Sequence, residues 1–353
     1  MKISILTFAK GDNYGAVLQA YALGHVLQNL GYDVEYISLT WTTWIHSILS
    51  RITPLRKRFQ NFRKKYLINF SKKCVSFQDL KDSVSNTDIC IVGSDQVWNP
   101  DITTIRALHY FFDFAPDSTP RISYAASFGV SKWKWDNLTN EVESLLKKFH
   151  SVSVREESGV AICKSTFNIH ATKVLDPTLL LESYDNLLKK PLLENYVLGF
   201  KFITSPEYFS LLKHVAASIN ASPLIMDLLP RNLKETRIGK ASFSPSPEQW
   251  VTNIAYSQFV ITDSFHCTAF SLIFKKNFIV ILPERLEKVQ DRLYSLLEEL
   301  GLENRIFTSI EEAKKSNIWN SSINYDIVNQ KLSQLREESI KFLDKAISSA
   351  YSQ

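Results

Sequence analysis

One histidine stands where a largely apolar strand gives way to a helix. Asp263 and Ser264 follow the run Phe259–Thr262, and His266 opens a second apolar stretch. Such a turn presents its polar side chains at the edge of a sheet. A histidine placed there can hold or deliver a proton near neutral pH. His266 is therefore the leading candidate for a catalytic residue, and a purely structural histidine is the alternative.

Three further features can bind an anion. The loop Gly11–Gly15 leads into a helix, whose free backbone N–H groups attract negative charge. A helix cap formed by Asp12 or Asn13 explains the same residues and is compatible with anion binding. Arg155 follows a short apolar run, and Arg292 lies near the start of a predicted helix. Either guanidinium can grip a phosphate or a carboxylate with paired hydrogen bonds, and an exposed surface charge is the alternative for both.

The loop Gly93–Pro100 carries the remaining polar cluster. The apolar run Ile89–Val92 precedes it and delivers a hydroxyl, a carboxylate and an indole to one place, from Ser94, Asp95 and Trp98. Loops that follow rigid strands often carry functional residues. The composition of this loop therefore predicts a binding site.

Several well-known sites are absent from the sequence. It contains no phosphate-binding P-loop, no G-x-G-x-x-G, no H-E-x-x-H, no G-x-S-x-G and no D-x-D. These absences argue against an NTPase, a dehydrogenase, a metalloprotease and a common hydrolase. The four cysteines are widely scattered, without the spacing of a zinc or redox site, and indicate reduced thiols in a cytosolic protein.

Apolar runs and helical patterns alternate along the chain in two series. The first series predicts strands at Ile3–Ala9, Val34–Leu39, Ile89–Val92, Ile122–Ala125, Val152–Val154 and Lys173–Leu175. The second predicts strands at Tyr196–Phe202, Leu224–Met226, Phe259–Thr262 and Phe278–Ile281. Two α/β series in 353 residues predict two doubly wound domains with a cleft between them. We place the domains at 1–185 and 186–325, followed by a helix at 326–353 that packs back on the first domain.

The positive charge of the chain is concentrated in one insert, residues 40–77. Nine of its 41 basic residues lie between Arg51 and Lys73, which leaves 32 elsewhere against 36 acidic residues. An apolar stretch that contains Trp41 and Trp44 precedes them. A basic helix with an aromatic edge can lie on an anionic membrane or attract a diphosphate, and a solvated helix or loop is the alternative. No nucleic-acid-binding module accompanies the charge, so we expect no nucleic-acid partner.

The polar clusters, taken together, resemble the polysaccharide pyruvyl transferase family. The similar segments occur in family order along nearly the whole chain, except in the basic insert. They are NYGAVLQAYAL (Asn13–Leu23), VGSDQVWNP (Val92–Pro100), SYAASFG (Ser123–Gly129), SVREESG (Ser153–Gly159), VLDPTLLL (Val174–Leu181), SPEQW (Ser246–Trp250) and ITDSFHCTAFSLIF (Ile261–Phe274). The sequence departs from the family at Ser264, where some members have arginine, and at Cys267, where glycine is typical.

This resemblance implies an α/β fold of two Rossmann-like domains facing each other across a cleft, like that of the GT-B glycosyltransferases. It also implies phosphoenolpyruvate as the donor, no metal and no further cofactor. The acceptor would be a glycan, galactose-like and linked to polyprenyl diphosphate, in capsular or exopolysaccharide biosynthesis. The enzyme would be cytoplasmic and would contact the inner membrane through Arg51–Lys73.

A mechanism can be written on these residues. His266 protonates the methylene carbon of the donor, and Asp95 accepts the proton of the attacking sugar hydroxyl. Asp176 is expected to be a hinge or structural carboxylate. The remaining site residues are expected to bind substrate: Asn13, Tyr14, Gly15, Ser94, Arg155, Ser264 and Arg292 hold phosphoenolpyruvate, and Gln96, Trp98 and Asn99 hold the acceptor.

Two other functions remain open at this point. A glycosyltransferase of the same two-domain build would bind a nucleotide sugar instead of phosphoenolpyruvate. A non-catalytic glycan-binding protein would bind sugar without releasing phosphate.

Overall fold

The computed structural model describes residues 1–40, 54–67, 69–202, 205–227, 240–282 and 291–351. Within them, the first sheet contains seven parallel strands in the order β3-β2-β1-β4-β5-β6-β7. These are β1 (Lys2–Leu6), β2 (Asp33–Leu39), β3 (Phe70–Cys74), β4 (Ile89–Val92), β5 (Arg121–Ala126), β6 (Phe149–Val154) and β7 (Thr172–Lys173). The central strands are buried on both faces, which is why they read as continuous apolar runs.

A second parallel sheet has six strands in the described part of the chain, in the order β10-β9-β8-β11-β12-β13. They are β8 (Tyr196–Phe200), β9 (Ser222–Asp227), β10 (Lys240–Phe243), β11 (Phe259–Thr262), β12 (Asn277–Ile281) and β13 (Ile306–Phe307). The sequence patterns did not predict β3, β10 and β13. All three are edge strands with short or polar sequences, where the apolar signal of a central strand is absent.

Helices connect the strands of both sheets. The first half contains α1 (Tyr14–Asn29), α2 (Pro54–Tyr66), α3 (Phe77–Ser83), α4 (Pro100–Thr103), α5 (Thr139–Leu146) and α6 (Glu157–Phe167). The second contains α7 (Pro206–Ser218), α8 (Pro247–Ala255), α9 (Phe265–Ile273), α10 (Asp291–Leu300), α11 (Ile310–Ser316) and the long α12 (Tyr325–Tyr351). The predicted α/β class with two doubly wound sheets is confirmed.

The helix α1 joins the two halves. It is buried almost all round, because it packs on the first sheet and also contacts α8 and α9. At its start, the Tyr14 ring stacks on Trp250 with 5.3 Å between ring centroids, and the Tyr14 hydroxyl donates a hydrogen bond to the Pro245 carbonyl. One apolar core cluster accordingly contains residues of both sheets, such as Ile5 and Val260.

The terminal helix α12 contacts β4, β5 and β6 of the first sheet. The Ser339 hydroxyl accepts a hydrogen bond from the backbone N–H of Leu175, and Ser349 lies within hydrogen-bond distance of His150. The chain therefore crosses back to the first sheet after completing the second. The domain boundaries placed at 185 and 325 stay predictions.

The basic insert is in part an internal element. In α2, Phe59 and Phe62 are fully buried, and Phe59 packs against Tyr14. Arg63 is also buried; its guanidinium donates to the Gly11 carbonyl and pairs with the Asp12 carboxylate at 2.9 Å. Residues 41–53, which include Trp41, Trp44 and Arg51, lie outside the described residues. Among the described helices, none is long and apolar enough to cross a bilayer.

Candidate functional site

A cavity lies where both sheets reverse their strand order. In each sheet the reversal falls between the two central strands, β1 and β4 in the first and β8 and β11 in the second. Ligands of doubly wound sheets bind outside the carboxyl ends of strands at such reversals. The cavity, here called the anion lobe, has a volume of about 270 Å³. Its walls are Asn13, Tyr14, Gly15, Asp95, Gln96, Phe200, Phe202, Trp250, Ser264, Phe265, His266 and Arg292.

Two helices begin at the anion lobe, one from each half of the molecule. The side chain of Asn13 caps α1 by accepting a hydrogen bond from Ala16 N–H, and Ser264 caps α9 in the same way through Cys267 N–H. Neither helix has an acidic residue in its first turn. The positive ends of both helix dipoles therefore act on the lobe, and no carboxylate within either first turn cancels them.

His266 lies against the first helix across the lobe. A side chain at Gly15 could not be accommodated, since a Cβ atom there would sit 2.0 Å from Nδ1 of His266. The other ring nitrogen, Nε2, lies 3.6 Å from Oδ2 of Asp176, and the whole residue is only 9% exposed. His266 is thus held between a helix start and a buried carboxylate, with its Nδ1 edge towards Gly15.

Asp176 is the centre of a buried polar network. Its Oδ2 accepts hydrogen bonds from Ser94 Oγ at 2.8 Å and from a terminal nitrogen of Arg155 at 2.9 Å. Its Oδ1 accepts from the backbone N–H and the hydroxyl of Thr178. Burial opposes ionisation, but His266, Arg155 and Thr178 together hold the pKa of Asp176 well below its usual range. Asp176 therefore carries a full negative charge beneath His266.

The expectation that Asp176 is merely a hinge or structural carboxylate misses its contact with His266. One signal in the sequence could have found it. Asp176 follows the strand β7, and a position after a strand is the criterion that selected Asp95 and Arg155 in the same sheet. The partner lies far away in the chain, so no spacing pattern could pair the two residues.

Arg155 belongs to the buried network and does not line the anion lobe. Besides the ion pair with Asp176, its guanidinium lies 3.7 Å from Glu156 and 3.9 Å from Asp95. Burial disfavours its charge, but these three carboxylates raise the pKa of Arg155 above its ordinary value. The side chain faces a neighbouring cavity of about 250 Å³, which also touches Phe265 and Arg292. Direct contact between Arg155 and a donor in the anion lobe stays a prediction.

Arg292 lines the anion lobe in a different electrostatic state. Within the described residues it forms no ion pair, and its Nε makes no hydrogen bond. Burial and, secondarily, the like charge of Arg155 lower the pKa of Arg292 to about 10. At neutral pH the guanidinium is therefore charged but poorly compensated, and a bound anion would compensate it.

Asp95 is held in an unusual backbone conformation. Its φ is +79°, which a non-glycine residue adopts at a cost of about 1–3 kcal/mol. Its carbonyl accepts from Ser127 N–H, and its carboxylate accepts from the Gln96 N–H. Strain of this kind is concentrated at functional sites. Gln96 lines the lobe beside it, with its side-chain oxygen accepting a hydrogen bond from Asn99.

Three predicted contact residues do not reach the cavity. Trp98 is fully buried, stacks on Phe111 and donates its indole N–H to the Tyr110 carbonyl, so it is a core residue. Asn99 is buried as the cap of α4 and supports Gln96. Ser94 is fully buried and donates to Asp176. The predicted acceptor contacts of Trp98 and Asn99 and the donor contact of Ser94 are therefore corrected to structural roles.

Cys267, the residue after His266, has an unreactive thiol. Cys267 is fully buried, and burial raises the pKa of its thiol to about 12, so it stays protonated at neutral pH. All four cysteines are buried and free. In the part of the chain that the structure describes, no group of three His, Cys, Asp or Glu side chains could hold a metal ion.

Comparison with solved structures supports the GT-B-like architecture. A putative UDP-N-acetylglucosamine 2-epimerase from Listeria monocytogenes matches with a TM-score of 0.60 at 9% identity, covering 94% of this chain and 90% of the other. UGT89C1 from Arabidopsis thaliana, complexed with UDP-L-rhamnose, matches with a TM-score of 0.56 at 11% identity over 99% and 98% of the two chains. The UDP-GlcNAc 2-epimerase from Neisseria meningitidis, bound to UDP-GlcNAc, matches with a TM-score of 0.54 at 12% identity, covering 98% of this chain and 100% of the other. At these identities the similarity shows the fold alone.

Comparison of sequences identifies the family. No curated protein matches the chain. The family model named polysaccharide pyruvyl transferase matches residues 13–285, a region that begins at the cap residue of α1 and includes β4, β8, β11 and His266. The matched region thus contains nearly all residues that form the anion lobe, Arg292 being the exception. The chain belongs to the polysaccharide pyruvyl transferase family.

Proposed function

We propose that this protein transfers the pyruvyl group of phosphoenolpyruvate to hydroxyls of a sugar and forms a pyruvate ketal. The observation that carries the proposal is the composition of the anion lobe. A histidine backed by a buried carboxylate, an arginine without an ion pair among the described residues, and two helix starts converge on one cavity. Such a cavity suits a small, highly charged donor that must be protonated during the reaction.

The donor would be held by charge and by backbone groups. Its carboxylate and phosphate would be shared between Arg292 and the N-terminal turns of α1 and α9. Ser264, as the cap of α9, would fix the second of these turns. The anion would also offset the unfavourable burial of the Arg292 charge, which would contribute to the binding energy.

The first chemical step would be protonation of the donor. The Nδ1 edge of a protonated His266 lies on the lobe beside Gly15 and would deliver its proton to the methylene carbon. Asp176 would stabilise the imidazolium ion from the other edge and hold the ring in position. The electron pair of the C=C bond forms the new C–H bond, which leaves C2 cationic. The carboxylate of Asp95, which lines the lobe, would stabilise such a centre.

The acceptor would then add to C2. A sugar hydroxyl attacks C2, and its proton passes to the carboxylate of Asp95, which lines the lobe. The C2–O bond to phosphate then breaks with its electron pair, and phosphate leaves. A second hydroxyl of the same sugar adds to C2 and its proton passes to the now neutral His266, which closes the cyclic ketal and restores the acid. The buried network positions both His266 and Asp95, since Arg155 lies between Asp176 and Asp95.

The biological setting is part of the proposal. We place the reaction in capsular or exopolysaccharide biosynthesis, in the cytoplasm, on a galactose-like acceptor linked to polyprenyl diphosphate. The outward basic residues of α2 and β3 would bring the enzyme to the anionic membrane or to the diphosphate. Neither a metal nor a further cofactor takes part in the proposed steps.

The decisive experiment measures phosphate release from phosphoenolpyruvate with lipid-linked galactosides, together with mass spectrometry of the glycan. We expect phosphate release that depends on the acceptor, and a product with the mass of a pyruvate ketal. Thermal stabilisation by phosphoenolpyruvate but not by UDP, GDP or CMP should accompany it. Stabilisation by a nucleotide would instead favour a glycosyltransferase, and sugar binding without phosphate release a non-catalytic glycan-binding protein.

A further inference from the structure

A second cavity adjoins the anion lobe on the side of the first sheet. It has a volume of about 400 Å³, which lies in the range of small-molecule sites. Asn13, Asp95 and Gln96 line both cavities, so the two adjoin at this shared wall. The far wall includes Phe8, which follows β1, and Ile102 of α4. We call this second cavity the apolar lobe.

The two lobes differ in charge. The anion lobe is lined by His266 and Arg292 and receives two helix starts. Among the described residues, no lysine, arginine or histidine lines the apolar lobe, and its one charged side chain is the carboxylate of Asp95. Asp95 lines both lobes, but among the described residues only the anion lobe adds cationic side chains to it. A trianionic donor is therefore favoured in the anion lobe, and a neutral ligand with hydroxyl groups suits the apolar lobe.

We propose that the apolar lobe binds the acceptor sugar as a neutral pyranose ring. One face of such a ring is a patch of C–H groups, which suits the Phe8 ring and the Ile102 side chain. Its hydroxyls meet the amides of Asn13 and Gln96 and the carboxylate of Asp95 along the shared wall. This inference rests on the proposed function and assigns the acceptor to a place within it.

The Gln96 side chain on the shared wall is held in one position by its neighbours. The Gln96 side chain is fixed by the Asn99 amide and lies over Gly129, where a Cβ atom would come 2.0 Å from the Gln96 side-chain oxygen. Gly129 has a φ of +66°, so an L side chain there would also be strained. Asp95, with its φ of +79°, directly precedes Gln96 in the same loop, and both residues line both lobes. The boundary is where a hydroxyl must meet the donor.

Direct binding tests the proposal without any turnover. The probes are the methyl glycosides of galactose, glucose, mannose and N-acetylglucosamine, measured by saturation-transfer difference NMR with the full chain. We expect at least one to bind to the parent protein and to lose about tenfold in affinity in Ile102→Ser, since the removed apolar contact corresponds to roughly that factor. The matched control is Ile105→Ser, because Ile105 is 94% exposed and lies outside the lobe.

Kinetics then separate this proposal from the proposed function. With phosphoenolpyruvate and a bound glycoside, Ile102→Ser and Phe8→Leu should raise KM for the acceptor about tenfold and leave KM for phosphoenolpyruvate unchanged. Equal acceptor affinity in Ile102→Ser and Ile105→Ser, or binding of none of the four glycosides, overturns the apolar lobe as the acceptor site. Sugar binding that depends on Ile102 without phosphate release would instead support the lobe and refute pyruvyl transfer.

Discussion

Two arginines flank the same phenylalanine, and they carry opposite electrostatic roles. Arg155 lies 4.6 Å from the centroid of the Phe265 ring, and Arg292 lies 5.9 Å from it. Three carboxylates lie within 4 Å of Arg155 and outweigh burial, so its pKa is raised. Burial and the like charge of Arg155 outweigh the weaker effect of the same three carboxylates on Arg292, so the pKa of Arg292 is lowered to about 10. One charge is therefore committed to holding the fold together, and the other is available to a ligand.

The contacts of Asp176 with Arg155 and with His266 differ in a similar way. Asp176 binds Arg155 and Ser94 through short hydrogen bonds, but His266 stays at 3.6 Å and remains on the wall of the cavity. A charged group whose hydrogen bonds are all made within the protein stabilises the fold. A group that lacks some of these partners can still bind a substrate. The predictions below test this division, beginning with the largest effect.

Replacing His266 should abolish most of the turnover. We expect His266→Ala to lower kcat by about 10² to 10⁴, the usual worth of general acid catalysis, because His266 is the one histidine among the described residues that line the lobe. Donor affinity should change less, since Arg292 and the helix starts bind the anion. Steady-state phosphate release and thermal unfolding check both points, with His170→Ala as an exposed histidine control. Near-parent turnover in a folded His266→Ala protein would show that another residue is the acid.

Replacing Asp176 should destabilise the fold. Asp176→Asn leaves Arg155 without its closest partner, and breaking a buried ion pair costs about 3–5 kcal/mol of unfolding free energy. The folded pKa of Asp176 is depressed, so its stabilisation is complete above the ordinary value of about 3.9 and is lost as the pH falls below it. Denaturant unfolding should give a constant difference between pH 7 and 5 that shrinks under about pH 4.

The turnover of Asp176→Asn gives a second measurement. Loss of the carboxylate beneath His266 should lower kcat more than it raises KM for phosphoenolpyruvate. A variant that is destabilised but keeps parent kcat at a temperature where it is folded would limit Asp176 to the stability network.

Arg292 should behave in the opposite way. We expect Arg292→Met to keep or gain stability, because it removes a buried and poorly compensated charge. Affinity for phosphoenolpyruvate should fall about tenfold to a hundredfold, the worth of one or two charge-assisted hydrogen bonds. Arg155→Met is the matched comparison and should be strongly destabilised. Equal loss of stability in the two variants would erase the distinction between the two arginines.

The basic residues of α2 also divide into a buried arginine that is paired within the protein and exposed lysines that can meet a partner. Arg63 is buried against Asp12, whereas Lys57, Lys64 and Lys65 are exposed. Each exposed lysine could contribute about 1 kcal/mol near an anionic surface, or roughly fivefold in binding. We expect the triple glutamine variant of these lysines to bind anionic vesicles more weakly, with turnover of a water-soluble acceptor unchanged. The control variant replaces three other exposed lysines, Lys315, Lys331 and Lys345, and equal vesicle binding by the two would refute membrane contact through α2.

The sequence alone predicted much of the framework. The bounds of β4 and β11 were predicted correctly, since central parallel strands are continuous apolar runs with polar residues directly after them. The turns that follow these strands and the start of α1 do line one cavity, because carboxyl ends of parallel strands share an edge of the sheet. His266, Asp95, Gln96 and the Asn13–Gly15 turn could therefore be selected as neighbours from their positions after strands.

The state of each side chain was decided by tertiary contacts. The sequence shows Trp98 two residues after Gln96, and only packing decides that the indole enters the core while the amide faces the cavity. It also shows two arginines near helix starts without showing which of them meets three carboxylates. The pairing of Asp176 with His266 brings together residues of different halves of the chain. Local pattern determined the elements and their polar ends, and long-range packing decided which of those groups are neutralised inside the protein and which are left for a substrate.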